Sequence, residues 1–182
     1  RNDASTSPIV VQVPFNTYQA YNEWGGKSLY TENSVGGKAR KVSFDRPYKA
    51  AQGMGQLFNG DYQLVTWLER AGFDVTYVAS SDTRNASMMA NHKLFVASFH
   101  DEYWTYDMRA NLVNWIASGK SAAFLGANNL YYQVRFEPSS GGAADRVMVG
   151  YKDLTDPYYA NAATQKYTTY IFRGAAINLP EE

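Results

Sequence analysis

The stretch DYQLVTWLERAGFDVTYVA, residues 61–79, places a helix and a strand back to back. Asp61 is of a residue type that accepts a hydrogen bond at a helix start. Leu64, Val65, Trp67, Leu68 and Ala71 then recur at the i, i+3, i+4 spacing of one helical face. Gly72 can take the left-handed conformation that ends a helix, so the chain is predicted to turn there and enter an apolar strand, Phe73 to Ala79, at once. The same unit returns downstream. Thr105 stands as the cap, Met108, Leu112, Val113, Trp115 and Ile116 as the apolar side, Gly119 as the stop and Ser121 to Leu125 as the strand. Ile9 to Phe15 and Lys93 to Phe99 supply two more strand-length apolar runs. Strands without clear alternation, separated by amphipathic helices, imply a parallel sheet covered on both faces. The expected fold is a three-layer α/β sandwich with a mainly parallel sheet, flavodoxin-like or Rossmann-like.

Two stretches stand outside this pattern. Gly25 to Gly55 is rich in Gly, Ser, Lys and Arg and reads as a functional lobe or a flexible insert, its aromatics favouring the lobe. After Leu130, the segments Tyr131 to Phe136, Val147 to Tyr151 and Tyr167 to Phe172 alternate like antiparallel strands, so a small antiparallel C-terminal appendage is expected on the sheet edge. The whole chain, residues 1–182, is expected to form a single domain. The opening RNDASTS lacks both a Met and the pattern of a signal peptide, and reads as a boundary within a longer protein.

Composition removes several classes of function. Apolar residues make up 45% of the 182 and charged residues 19%, the balance of a folded core rather than a disordered chain. Lys and Arg number 17 against 17 Asp and Glu, leaving no net field to attract a phosphate backbone, so nucleic acid is not an expected partner. No apolar run approaches the roughly 20 residues that span a bilayer, so a soluble chain is expected and no membrane partner. The absence of cysteine excludes disulfides, thiolate nucleophiles and cysteine-based zinc sites. Tyrosine, at 15 residues against 9 Phe and 4 Trp, is in excess, and each ring carries a hydroxyl.

Ligands of open parallel sheets bind outside the carboxyl ends of the strands. The residues that follow the predicted strands are polar: Asn16-Thr17-Tyr18-Gln19-Ala20-Tyr21-Asn22, Ser80-Ser81-Asp82, His100-Asp101-Glu102-Tyr103 and Asn128-Asn129. Four loops are therefore expected to converge on one rim. His100, beside two carboxylates at a strand end, is a candidate general base, with Glu102 a candidate cation ligand. His92 precedes its strand and is expected at the surface of the opposite rim. Tyr18 and Tyr21, three residues apart, would share a face on a helical turn, and Tyr30 is near enough in sequence to fold back on them. Phenolate oxygens beside a carboxylate suit a hard, strongly Lewis-acidic ion such as ferric iron better than zinc. An aromatic rim of this kind would equally serve a non-catalytic domain holding a sugar or a peptide. A nucleotide-binding turn is not expected, because Pro14 and Tyr18 stand where a glycine-rich loop would be needed.

Five segments, VPFNTYQAYNEWGGKSLY (13–30), SFDRPY (43–48), WLERAGFDV (67–75), HDEYW (100–104) and NLPE (178–181), carry in order and spacing a resemblance to the C-terminal domain of the N,N-dimethylformamidase large subunit and its relatives. The resemblance implies a flavodoxin-like or class I glutamine amidotransferase-like sandwich. It also implies hydrolysis of a small amide by a mononuclear iron held by two tyrosines and a glutamate, with a small subunit and further domains as partners and an oligomer as a further outcome. Carried over, Glu102 matches the glutamate ligand, His100 the catalytic histidine and Asn128 the asparagine. Tyr30 matches one tyrosine ligand and Tyr21, with Tyr18 as its substitute, the other.

Overall fold

The apolar run IVVQV forms β1 (Ile9–Val13), and its neighbours fix the architecture. The remaining elements are α1 (Phe15–Tyr21), β2 (Lys41–Ser43), α2 (Met54–Gln56), α3 (Tyr62–Arg70), β3 (Val75–Ala79), β4 (Leu94–Ala97), β5 (Tyr103–Thr105), α4 (Tyr106–Ala117), β6 (Ser121–Phe124), β7 (Tyr132–Glu137) and β8 (Val147–Val149). The structure is a computed structural model that describes residues 4–49 and 54–174. The expected NLPE segment lies outside those residues.

β1 pairs in parallel with β3 on one side and β4 on the other, and β6 continues beyond β4, giving the order β3-β1-β4-β6. Successive side chains of a strand point to opposite faces, and both faces here are apolar. Val10, Phe95 and Ala97 pack with Met108, Leu112 and Trp115 of α4 on one side, while Val11 and Val96 pack with Leu64 and Leu68 of α3 on the other. Burial on both faces is why the strands show no alternation in sequence. Gly72, at φ 77, lets the amides of Gly72 and Phe73 bond back to the carbonyls of Glu69 and Leu68, each at 3.1 Å, and so ends α3. Thr105 caps α4 through an Oγ1 that accepts from the Met108 amide at 3.2 Å.

The start of the first helix differs from its expectation. Asp61 is not an N-cap: it has helical angles (φ −65°, ψ −33°) inside a π-helical turn, Leu57–Asp61, that joins α2 to α3. Its carboxylate is buried and accepts the Tyr18 hydroxyl at 2.6 Å instead of a backbone amide. Trp67 is also not core. Leu64 and Leu68 define the buried stripe, and Trp67 lies on its flank, 58% exposed, with its ring beside Phe73.

The region after Leu130 is larger than an antiparallel appendage. It is a mixed four-stranded sheet of order β2-β8-β7-β5, in which β5 and β7 run parallel and the other pairs antiparallel. One strand, β2, comes from the 25–55 stretch, whose described part is therefore an ordered lobe. Ala20 of α1, Leu29, Val42, Tyr103, Val134 and Met148 form the core of this half. The expected third strand, Tyr167 to Phe172, gives only an isolated bridge between Ile171 and Tyr132. The segment meets the edge of β7 through two backbone bonds, Gln133 amide to Tyr170 carbonyl and Phe172 amide to Tyr131 carbonyl, before β8 takes that edge from Arg135 on, and side chains take further groups of the segment: Gln133 Nε2 donates to the carbonyls of Lys166 and Thr168, and Asp156 accepts from the amide and hydroxyl of Thr169. His92 is likewise not a surface residue. It is 3% exposed, with Nδ1 2.6 Å from the Ser7 carbonyl oxygen. Among the described residues no helix is long and apolar enough to cross a membrane.

One side chain of the lobe makes several bonds to α1 and the residues after it. The Arg46 guanidinium donates to the carbonyl oxygens of Gln19, Asn22, Trp24 and Lys27 and to Gln19 Oε1. A lysine carries one donor centre and cannot reproduce that fork. Arg46→Lys should therefore lower the unfolding free energy by about 1–3 kcal/mol, read from the urea midpoint, because carbonyls at the end of α1 lose their partners.

Candidate functional site

The connections leaving β4 and β6 run side by side away from the parallel sheet. Leu125, Ala127 and Leu130 donate their amides to the carbonyls of Ala97, Phe99 and Asp101, and Tyr131 and Tyr132 both donate to Glu102. The two chains then become β5 and β7, so Glu102 stands where the parallel sheet gives way to the mixed one. Its own amide donates to Thr17 Oγ1 of α1 at 3.0 Å. Both backbone groups of Glu102 are therefore held, and its carboxylate is 4% exposed.

Such a carboxylate needs partners. Tyr21 and Tyr30 lie with their hydroxyls 3.0 and 2.8 Å from Glu102 Oε2, and 2.8 Å from each other. Their rings stack at 4.2 Å. Tyr103 donates its hydroxyl to that of Tyr30 at 2.6 Å, and Lys152 Nζ donates to Tyr103 at 3.3 Å. With one proton on each phenol, Tyr21 and Tyr30 both donate to the carboxylate, Tyr103 donates to Tyr30, and Lys152 closes the string. His100 Nε2 is 3.3 Å from Glu102 Oε2 but outside hydrogen-bonding geometry, so one imidazole nitrogen remains unpaired inside the site.

The electrostatics follow from burial. Desolvation, reinforced for Tyr30 by its neighbour Tyr103 and for both by Glu102, holds the Tyr21 and Tyr30 hydroxyls well above the ordinary phenol range, so they are protonated at neutral pH. Burial pulls the Lys152 ammonium down to about 8, against the opposing attraction of Glu102. That ammonium lies 3.4 Å from the centroid of the Tyr30 ring, a cation–π contact.

The expected residues separate into groups. Tyr21, Tyr30, His100 and Glu102 are together. Tyr18 is fully buried and turned away from Glu102, onto the buried carboxylate of Asp61, so the expected shared face of Tyr18 and Tyr21 does not bring the two hydroxyls to one site. Asn128 is exposed at φ 56, on a loop held beside the His100 turn by the Ala127–Phe99 and Leu130–Asp101 bonds. Asp101 points away from Glu102 into the sheet, where Gln12 donates to it at 2.5 Å and Thr83 in turn donates to Gln12. Complete burial pushes its carboxyl up to about 7. Tyr103 and Lys152 were not singled out from sequence. Tyr103 adjoins Glu102 and continues the polar rim. Lys152 follows β8 in a left-handed conformation, φ 62, and no pattern around it marks it.

The donor set that meets at Glu102 is composed of oxygens. Among the described residues, no three His, Cys, Asp or Glu side chains gather as metal ligands, so a cation here would rely on the phenols. Two phenol oxygens and a carboxylate oxygen fit a hard, high-charge ion.

The chain is 26% identical over 122 residues to an N,N-dimethylformamidase beta subunit of Alcaligenes sp., and 25% identical over 125 residues to one of Paracoccus aminophilus. The matches cover 62% and 64% of this chain and 16% of each relative, so the chain spans a minor part of their length. A family model described as N,N-dimethylformamidase beta subunit-like, C-terminal, matches residues 1–182, and the chain belongs to that family.

Proposed function

We propose that the Glu102 cluster is the hydrolytic centre of an enzyme acting on the C–N bond of a small linear amide, with a mononuclear ferric ion held by Tyr21, Tyr30 and Glu102. The observation that carries this reading is the convergence of two phenol oxygens on one oxygen of a buried carboxylate. The order β3-β1-β4-β6 supports a flavodoxin-like or glutamine amidotransferase-like reading of the parallel half. Its crevice lies between β1 and β4, and α1 and the His100 loop leave the sheet there. Further domains of a longer chain and a small subunit would enclose the substrate.

The bound ion would supply Lewis acidity at the amide carbonyl. The protein supplies the proton handling. His100, with an unpaired ring nitrogen at the site, takes a proton from water as the water oxygen bonds to the carbonyl carbon. Asn128, on the adjoining loop, donates its amide to the oxygen that gains negative charge. His100 then returns the proton to nitrogen as the C–N bond breaks, leaving a carboxylic acid and an amine. Tyr21 and Tyr30 must lose their protons for the metal to enter, so uptake should weaken as pH falls.

Glu102→Gln keeps the volume and removes the charge. Iron content should fall sharply after reconstitution, with thermal stability close to wild type. His100→Ala should keep its iron and lose hydrolysis of formamides and small acetamides by about 10²- to 10⁴-fold, measured in the full-length enzyme. Wild-type protein that takes up no iron under either aerobic or anaerobic reconstitution would favour the non-catalytic binding domain.

A further inference from the structure

The turn that presents His100 is held in an unfavourable conformation. Phe99, two residues after the end of β4, has φ 37, in the left-handed region where a side chain crowds its own backbone. Its ring is 43% exposed, so burial of the ring does not account for this. Two glycines from separate elements make room for it. Gly60, in the π-helical turn, lies against the Phe99 ring, and Gly126, after β6, lies against the Phe99 carbonyl; a methyl group on either would overlap Phe99 atoms. The same carbonyl accepts the Ala127 amide at 3.1 Å. The residue is thus fixed from two sides, ring and backbone. The ring stands edge-on to the His100 imidazole, with centroids 6.5 Å apart and planes at 90°, while the Tyr21 ring lies 5.6 Å from the same imidazole.

Left-handed, partly exposed aromatic residues persist where the surroundings over-determine them, and such strain gathers at functional sites. The π-helical turn belongs to the same device. The extra residue it inserts sets Gly60 under the ring and, one position on, buries Asp61 against Tyr18 and Ser98. An ordinary α-helical register would not offer both.

We propose that Phe99 is a positioning residue: clamped between Gly60 and Gly126, it fixes the turn that aims His100 at Glu102. The proposal deepens the reading of the site given above and rests on it only for its activity readout. The test uses a built-in control, because His92 and His100 are the only two histidines. The 182-residue chain labelled at histidine gives two imidazole signals, assigned with His100→Gln. Phe99→Gly removes the ring and permits the left-handed angle. It should leave Tm unchanged or raised, shift and broaden the His100 signals, and leave those of His92 as they are. Phe99→Tyr should restore sharp His100 signals. Gly60→Ala should lower Tm in the wild-type background and not in the Phe99→Gly background, where no ring remains to be struck.

In the full-length enzyme, kcat of Phe99→Gly should fall on the order of 10- to 100-fold with KM nearly unchanged. His100 signals that stay sharp and in place in Phe99→Gly would overturn the proposal, as would a lowered Tm for that variant, which would make Phe99 ordinary packing. If wild type hydrolyses no amide, the functional reading fails, and the histidine signals still decide the clamp.

Discussion

Burial of the Glu102 carboxylate is the constraint around which both halves of the molecule are arranged. A carboxylate withdrawn from water is destabilised unless hydrogen bonds replace its hydration. Here the replacements come from separate parts of the chain: Tyr21 from α1 and Tyr30 from the lobe tied down by Arg46. Tyr103 and Lys152 extend the string from the mixed sheet. None of these groups can satisfy Glu102 unless the parallel sheet, α1, the lobe and the mixed sheet are all in register. The site and the junction between the sheets are therefore the same structure.

The arrangement also accounts for four positions where the backbone departs from ordinary angles. Phe99, Asn128, Leu130 and Lys152 are all left-handed non-glycine residues. The first three lie on the paired connections that carry the chain from the parallel sheet to the mixed one, and the fourth follows β8 and delivers the ammonium to the Tyr30 ring. Regular strands could not redirect two parallel chains within a few residues, and the left-handed steps make that redirection. His100 and Glu102 sit inside it, so the candidate site and the strained backbone coincide.

Where burial is two-sided and local, the sequence could be read. The runs around Val10, Val78, Phe95 and Ala122 are mostly apolar because both faces of the parallel sheet are covered, and Gly72 and Thr105 act through backbone rules that need no tertiary partner. Glu102, His100 and Tyr21 could be placed on one rim because strand ends of a parallel sheet share an edge, while the choice of Tyr30 with Tyr21 beside Glu102 came from the family resemblance. Tertiary partners decided the rest. Asp61 has a capping residue's chemistry, but the buried Tyr18 hydroxyl outcompetes the helix start. Tyr167 to Phe172 alternates like a strand, yet β8 takes the same edge of β7 from Arg135 on, and side chains bind the rest of the segment. His92 and Lys152 are polar residues whose partners are distant in sequence, Ser7 for one and Tyr103 with Tyr30 for the other, and no local spacing announces such contacts.

The central claim is that the oxygens of Tyr21 and Tyr30, meeting at Glu102, form a site for a trivalent metal. Titration of metal-free protein with ferric iron, followed in the visible range where phenolate-to-iron charge transfer absorbs, tests it most directly. The account predicts a band that saturates at stoichiometric iron, is weakened by Tyr21→Phe and by Tyr30→Phe, is abolished by both together and is unaffected by Tyr18→Phe. Stoichiometric iron with a band indifferent to Tyr21 and Tyr30, or no band at all, would contradict it.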